Sequence, residues 1–178
     1  MVRKKERKGL IQVFTGNGKG KTSAALGSIL RATGHGLKVF IVFFMKGKYP
    51  YGEFSSLPKL PNVEVASFGL RCLIDPNKVN PEEIAQAKLA LKTARQAMLG
   101  GKYDMVILDE VNVAVYFKLI QLDDVLQLIE EKPPEVEMIL TGRYAEDAVI
   151  ECADLVTEMV KVKHPYDRGV KARKGIEY

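Results

Sequence analysis

Residues 15–23 read Thr-Gly-Asn-Gly-Lys-Gly-Lys-Thr-Ser, set between an apolar run, Leu10-Ile11-Gln12-Val13-Phe14, and a helical pattern that begins near Thr22. A glycine-rich segment in that position implies a strand–loop–helix unit, because glycine lets successive backbone N–H groups turn inward where a Cβ would obstruct them. The positive end of the following helix faces the same concavity, so Gly16, Asn17, Gly18, Lys19, Gly20 and Ser23 form a predicted phosphate cradle. Lys21 adds a point charge, and Thr22 a hydroxyl suited to Mg²⁺. The standard pattern wants a glycine five residues before Gly20, where this chain has Thr15.

The rest of the chain alternates strand and helix. Residues 21–33 place Ala24, Ala25, Leu26, Ile29 and Leu30 at helical spacing, and Gly34-His35-Gly36 ends the helix. Leu37 to Met45 is nearly all apolar, which suits a strand buried on both faces of a parallel sheet. Residues 46–61 hold three prolines and two tyrosines and read as a long surface loop before a third short strand, Val63-Glu64-Val65-Ala66. Asn80-Pro81-Glu82-Glu83 has the form of a helix start with a capping box, and that helix should run to Gly100-Gly101. Met105-Val106-Ile107-Leu108 reads as a buried strand ending in Asp109-Glu110. Leu122, Val125, Leu126 and Ile129 mark an amphipathic helix stopped by Pro133-Pro134. Two more strands are expected at Val136–Leu140 and Leu155–Val162, with a short helix around Ala145–Cys152 between them. The pattern predicts an α/β fold: an open, mostly parallel sheet of about six strands flanked by helices.

A chain of 178 residues with 47% hydrophobic content can bury one core. The expected organisation is a basic N-terminal tail at 1–9 and a single P-loop nucleotide-binding domain at 10–178. The net charge of +5 sits at the ends: residues 1–8 carry five basic and one acidic side chain, and residues 161–178 six and two. Neither end interleaves aromatics with its charges as a nucleic-acid groove would, so the first run reads as a solvated tail, with nucleic-acid or partner contact as the alternative. Cys72 and Cys152 stand eighty positions apart, which gives neither a zinc knuckle nor a disulfide framework and suits a reducing cytoplasm. No stretch is long and apolar enough for a membrane span or a secretion signal. His35 and His164 lack ligand-spaced partners and read as structural or surface residues.

Asp109-Glu110 is the chemical companion of the loop. A parallel strand delivers its C-terminal end to the same sheet edge, where carboxylates reach a metal bridging the phosphates. Alone, an acid after an apolar strand is more often a strand end entering solvent; beside Lys21-Thr22 it reads as a Mg·nucleotide site. Arg143, in Thr141-Gly142-Arg143 after the next strand, is either a bidentate phosphate contact or a surface ion pair. Arg31, two and a half turns along the first helix, reads as a solvated charge on spacing alone.

In order, GNGKGKTSAALGSILRATGHG, VFIVFFMKG with its following YGE, YDMVILDEVNVA, LTGR and VKHPYDRGVKARKGIEY resemble the P-loop corrinoid adenosyltransferases across nearly the whole chain. The resemblance accounts for Thr15, since these proteins share a loop without the first glycine. It implies a RecA-like sheet and transfer of the 5′-deoxyadenosyl group from ATP to Co(I) of a corrinoid, with triphosphate as the leaving group. It also implies an ATP bound in reversed polarity, catalytic roles for Lys21 and Glu110, and Mg²⁺ ligands at Thr22 and Glu110. Asp109 becomes a metal ligand or a supporting carboxylate, and Asn17, Lys21 and Arg143 become phosphate contacts. A homodimer and an electron-donating reductase or flavodoxin-type partner are expected on the same ground. Many relatives carry Phe-x-Trp after the third strand; here Gly69-Leu70-Arg71-Cys72 stands there and the chain has no tryptophan. Either Phe68 or Leu70 does that work, or the corrinoid is handled differently. The competing reading is a RecA-like ATPase or nucleotide-binding module that acts on nucleic acid.

Overall fold

The computed structural model describes residues 8–47, 50–70 and 78–178. Six strands form one sheet: β1 (Ile11–Thr15), β2 (Val39–Phe43), β3 (Val63–Ser67), β4 (Met105–Asp109), β5 (Glu137–Thr141) and β6 (Leu155–Glu158). Their order is β3-β2-β4-β5-β1-β6, and each neighbouring pair is parallel. The helices are α1 (Lys21–Gly34), α2 (Glu53–Ser56), α3 (Pro81–Leu99), α4 (Val111–Tyr116), α5 (Leu122–Glu130) and α6 (Asp147–Cys152). The expected open parallel α/β sheet of six strands is therefore the observed one, in the manner of a RecA-like P-loop fold.

Alternate residues of the central strands serve two cores. Val13, Val42, Val106, Leu108, Met138 and Leu140 pack on one face against α3, whose Ala87, Ala90, Ala94 and Ala97 form a small-residue stripe that brings the helix close to the sheet. Phe14, Ile41, Phe43, Ile107 and Ile139 pack on the other face against Ala25, Ile29 and Ala32 of α1. Each fully buried Ile or Leu of this set contributes roughly 1.5–3 kcal/mol. β4 and β5 are buried along their whole length, which is why their sequences show no alternation of polar and apolar residues.

α3 begins as its sequence predicts. The Asn80 side chain accepts from the Glu82 and Glu83 amides at 2.7 and 3.1 Å, and Glu83 accepts from the Asn80 amide at 2.9 Å. Four details differ from the sequence reading. The 46–61 segment contains α2 and a 3₁₀ turn, Leu57–Lys59, anchored by the buried Leu57. β6 stops at Glu158 instead of Val162, because its partner β1 ends at Thr15, where the glycine loop begins. α4 follows β4 directly; six residues are too few to display a helical period. Gly9, placed in the tail by the sequence reading, already donates its N–H to the Pro134 carbonyl at 2.7 Å. The basic residues 1–7 lie outside the described residues, as do Arg71 and Cys72, while Cys152 is free and exposed. Among the described residues no helix is long and apolar enough to cross a membrane.

Candidate active site

Parallel strands bring their C-terminal ends to one sheet edge, and register fixes what meets there. Phe43 pairs with Asp109, and Phe14 with Thr141, so the residues just after β1, β2, β4 and β5 converge.

The glycine loop follows β1. The chain after β6 passes against it so closely that a Cβ on Gly16 or Gly18 would lie 2.6 Å from the Met159 carbonyl oxygen, and the Gly18 N–H donates to that oxygen. These glycines serve the packing of the loop as well as its openness to phosphate. Lys21 folds back: its Nζ donates to the Gly16 and Gly18 carbonyls at 2.8 and 2.7 Å. Burial lowers its pKa from the ordinary lysine value, while the charges of Glu110 and Asp109 act the other way.

Asp109 is fully buried beneath the loop. One carboxylate oxygen accepts from the Thr141 hydroxyl at 2.7 Å, and the other from Thr22 Oγ1 at 3.3 Å. Thr141 Oγ1 in turn accepts the Glu110 N–H at 2.9 Å, so one hydroxyl ties the two acids together. Glu110 has a left-handed backbone, φ 65°, and its carboxylate takes no hydrogen bond from a described residue. Burial, then the neighbouring Asp109 charge, raise its pKa above the usual carboxylate value, against the pull of Lys46, Lys21 and Arg143.

Lys46 completes the cluster. Its Nζ lies 2.8 Å from Asp109 Oδ2 and 3.6 Å from Glu53, reaches Thr22 Oγ1 at 3.4 Å, and stands over the rings of Phe43 and Tyr51 at 5.0 and 5.1 Å. Burial alone would lower its pKa, but the charge and hydrogen bond of Asp109 prevail and raise it. Lys46 escaped the sequence reading, as did Thr141, although both lie at strand ends. Applying to β2 the edge rule used for β4 would have found the lysine.

A cavity of about 730 Å³ opens above this cluster, lined by the loop from Gly18 to Ser23, by Glu110 and Arg143, and by the terminal segment from Gly175 to Tyr178. Lys19 holds that segment, donating to the Ile176 carbonyl and pairing with Glu177, each at 3.0 Å. Hydrogen bonds from Arg173, then from Lys19, hold the Glu177 carboxyl down to about 2. Lys19, Gly20, Lys21, Thr22, Ser23, Glu110 and Arg143 thus share one cavity with Gly18. Asn17 instead lines a neighbouring cavity of about 420 Å³ with Arg143, Lys161 and His164. His164 caps the turn at Pro165–Arg168 by accepting the Tyr166 N–H. Arg31 is exposed and outside these cavities, and His35 is an exposed residue at the end of α1. Phe68 donates its N–H to the Phe43 carbonyl and packs half-buried on the α3-side core.

The whole arrangement is suited to an elongated polyanion: a glycine-rich loop, Lys21 and Arg143 around one cavity, and hydroxyl and carboxylate oxygens set beneath. Residues 7–178 match the model of the family described as ATP:corrinoid adenosyltransferase BtuR/CobO/CobP. A corrinoid adenosyltransferase of Pseudomonas aeruginosa is 38% identical over 177 residues, covering 98% of this chain and 86% of that protein. Those of Escherichia coli K12 and Salmonella typhimurium are 38% and 39% identical, each covering 97% of this chain and 87% of the relative. Site geometry, fold and near full-length similarity agree: the chain belongs to the ATP:corrinoid adenosyltransferase family.

Proposed function

We propose that this protein transfers the 5′-deoxyadenosyl group of ATP to the Co(I) centre of a corrinoid and releases inorganic triphosphate. The convergence of Lys21, the Gly18–Ser23 loop and Arg143 on one cavity beside Glu110 is the observation that carries this reading. In the reaction the Co(I) electron pair forms the bond to C5′, the C5′–O bond breaks, and its electrons leave on the triphosphate. Cobalt ends formally as Co(III), and no proton moves. No general base is needed; what the protein must supply is positive charge where the departing oxygen becomes anionic. Lys21, released from the Gly16 and Gly18 carbonyls, places its ammonium there, and Arg143 holds a phosphate oxygen. Asn17 binds the phosphate chain from the neighbouring cavity, and the basic Lys19 keeps the terminal segment over the site.

The donor set fits Mg²⁺. Thr22, Asp109 and Glu110 are hard oxygen ligands, and the Lys46 ammonium already rests between Thr22 and Asp109 as a cation would. Among the described residues no three or more His, Cys, Asp or Glu cluster as a metal site, so phosphate oxygens would complete the shell. Bound there, Mg²⁺ would supply further positive charge to the leaving triphosphate.

Incubation with ATP, Mg²⁺ and chemically reduced cobalamin is expected to give the light-sensitive alkyl-cobalt spectrum with one triphosphate per turnover. Release of ADP or phosphate without adenosylcorrinoid would refute the proposal. A reductase or flavodoxin-type protein is the proposed electron donor, and the cytoplasm the proposed compartment. A homodimer is proposed as well: β6 is an edge strand with Leu155 and Val156 about 40% exposed, and sedimentation at micromolar concentration should give twice the chain mass. The nucleic-acid alternative loses support, because Lys161 pairs with Asp167 and Arg173 with Glu177 in the basic terminal segment.

A further inference from the structure

A cobalt–carbon bond forms only if the second substrate touches the first, so its binding surface must open into the nucleotide cavity. Two other cavities meet the loop cavity at Arg143. One, about 420 Å³, shares Arg143 and His164 with the loop cavity and is otherwise lined by Asn17, Lys161, Tyr166 and Asp167, a mostly polar and charged set. The other, about 540 Å³, shares both Glu110 and Arg143 with the loop cavity and is otherwise lined by Val113, Tyr116, Phe117 and Tyr144. Both cavities are continuous with the loop cavity, and this one has the broad aromatic surface, from Tyr116, Phe117 and Tyr144.

That surface is unusual in two ways. Tyr116 and Tyr144 stack with ring centroids 4.1 Å apart and an interplanar angle of 28°, yet remain 50% and 44% exposed. Packing on each other leaves broad ring surface for a third flat body. Tyr144 also has φ 60°, a conformation glycine adopts freely and a bulky side chain rarely. Strain kept for a half-exposed ring is not explained by burial, and such strain clusters where ligands bind.

Resting on the adenosyl-transfer reading, we propose that the stacked Tyr116–Tyr144 pair, at the mouth of the cavity joined to the loop through Glu110 and Arg143, seats the corrin macrocycle. A corrinoid presents a broad, flat and largely apolar ring face, which lies across the open mouth and directs its cobalt toward the nucleotide. The pair supplies the aromatic surface in a chain without tryptophan.

The test is a spectral titration of cob(II)alamin in the presence of Mg²⁺ and ATP, with ATP and inorganic triphosphate affinities measured separately by calorimetry. The variant Tyr116→Ala/Tyr144→Gly keeps the backbone, since glycine suits the left-handed position. It is expected to bind cob(II)alamin about tenfold more weakly, with ATP and triphosphate affinities unchanged. Tyr116→Phe/Tyr144→Phe should bind like the wild type. Wild-type corrinoid affinity in the Ala/Gly variant would overturn the proposal. Weakened ATP binding with triphosphate binding intact would also overturn it, by assigning the tyrosines to the purine. A wild-type protein that forms no adenosylcorrinoid overturns the activity itself, a result distinct from either.

Discussion

Two lysines that share one site do different work. Lys21 is held by two loop carbonyls and depressed in pKa by burial, so it adds little to the fold and is available to phosphate. Lys21→Ala is expected to cut adenosylcorrinoid formation by about 10²–10³-fold, the loss typical of one transition-state donor, with little change in the urea midpoint. Lys46 is bound on all sides, by Asp109, Glu53, Thr22 and two aromatic rings. Removing it leaves a fully buried carboxylate with the Thr141 and Thr22 hydroxyls but without the cation paired to it. Lys46→Met is therefore expected to lose about 3–5 kcal/mol in urea unfolding, the cost of breaking a buried pair from one side. Equal stability of variant and wild type would show that Asp109 is satisfied without it.

At the scale of elements, helix ends and strand edges carry the information. α3 is set by Asn80 and Glu83, and Asn80→Ala should cost about 1 kcal/mol in urea unfolding, with adenosyl transfer unchanged because the cap lies outside the cavities. That cap was legible because it is written in four consecutive residues. The apolar runs of β2, β4 and β5 were legible because strands buried on both faces need no polar alternation. The position of Lys46 near the end of β2 was legible by the edge rule, but its pairing was not: Asp109 is distant in sequence and comes beside it through the β2–β4 register, while Glu53 reaches it from α2, seven residues on. The Lys19–Glu177 latch is hidden for the same reason, since 158 positions separate its ends. The residues of Gly18–Ser23, Glu110 and Arg143 could be named in advance because each directly follows a strand at the common edge. Asn17, adjacent in sequence to Gly18, lines a different cavity.

Across the whole molecule, two cores on opposite sheet faces hold the edge at which the six parallel strands end, so side chains there are aimed by the sheet and not by the loops alone. That rigidity lets the fold sustain local conformations that an isolated segment would abandon. Glu110 is the sharpest instance: a residue with a Cβ at φ 65°, its half-buried carboxyl close enough to Asp109 to feel its charge. Glycine at this position would relax the backbone and remove the repulsion from the Asp109 charge. Glu110→Gly is thus expected to raise unfolding stability by about 1 kcal/mol while abolishing adenosyl transfer, measured by urea titration and by the alkyl-cobalt spectrum. A variant both weaker in urea and inactive would instead make Glu110 part of the scaffold. The consequence reaches to how such a chain evolves or is engineered: a screen that rewards heat resistance alone would drift toward glycine at residue 110 and erase the enzyme as it improved the protein.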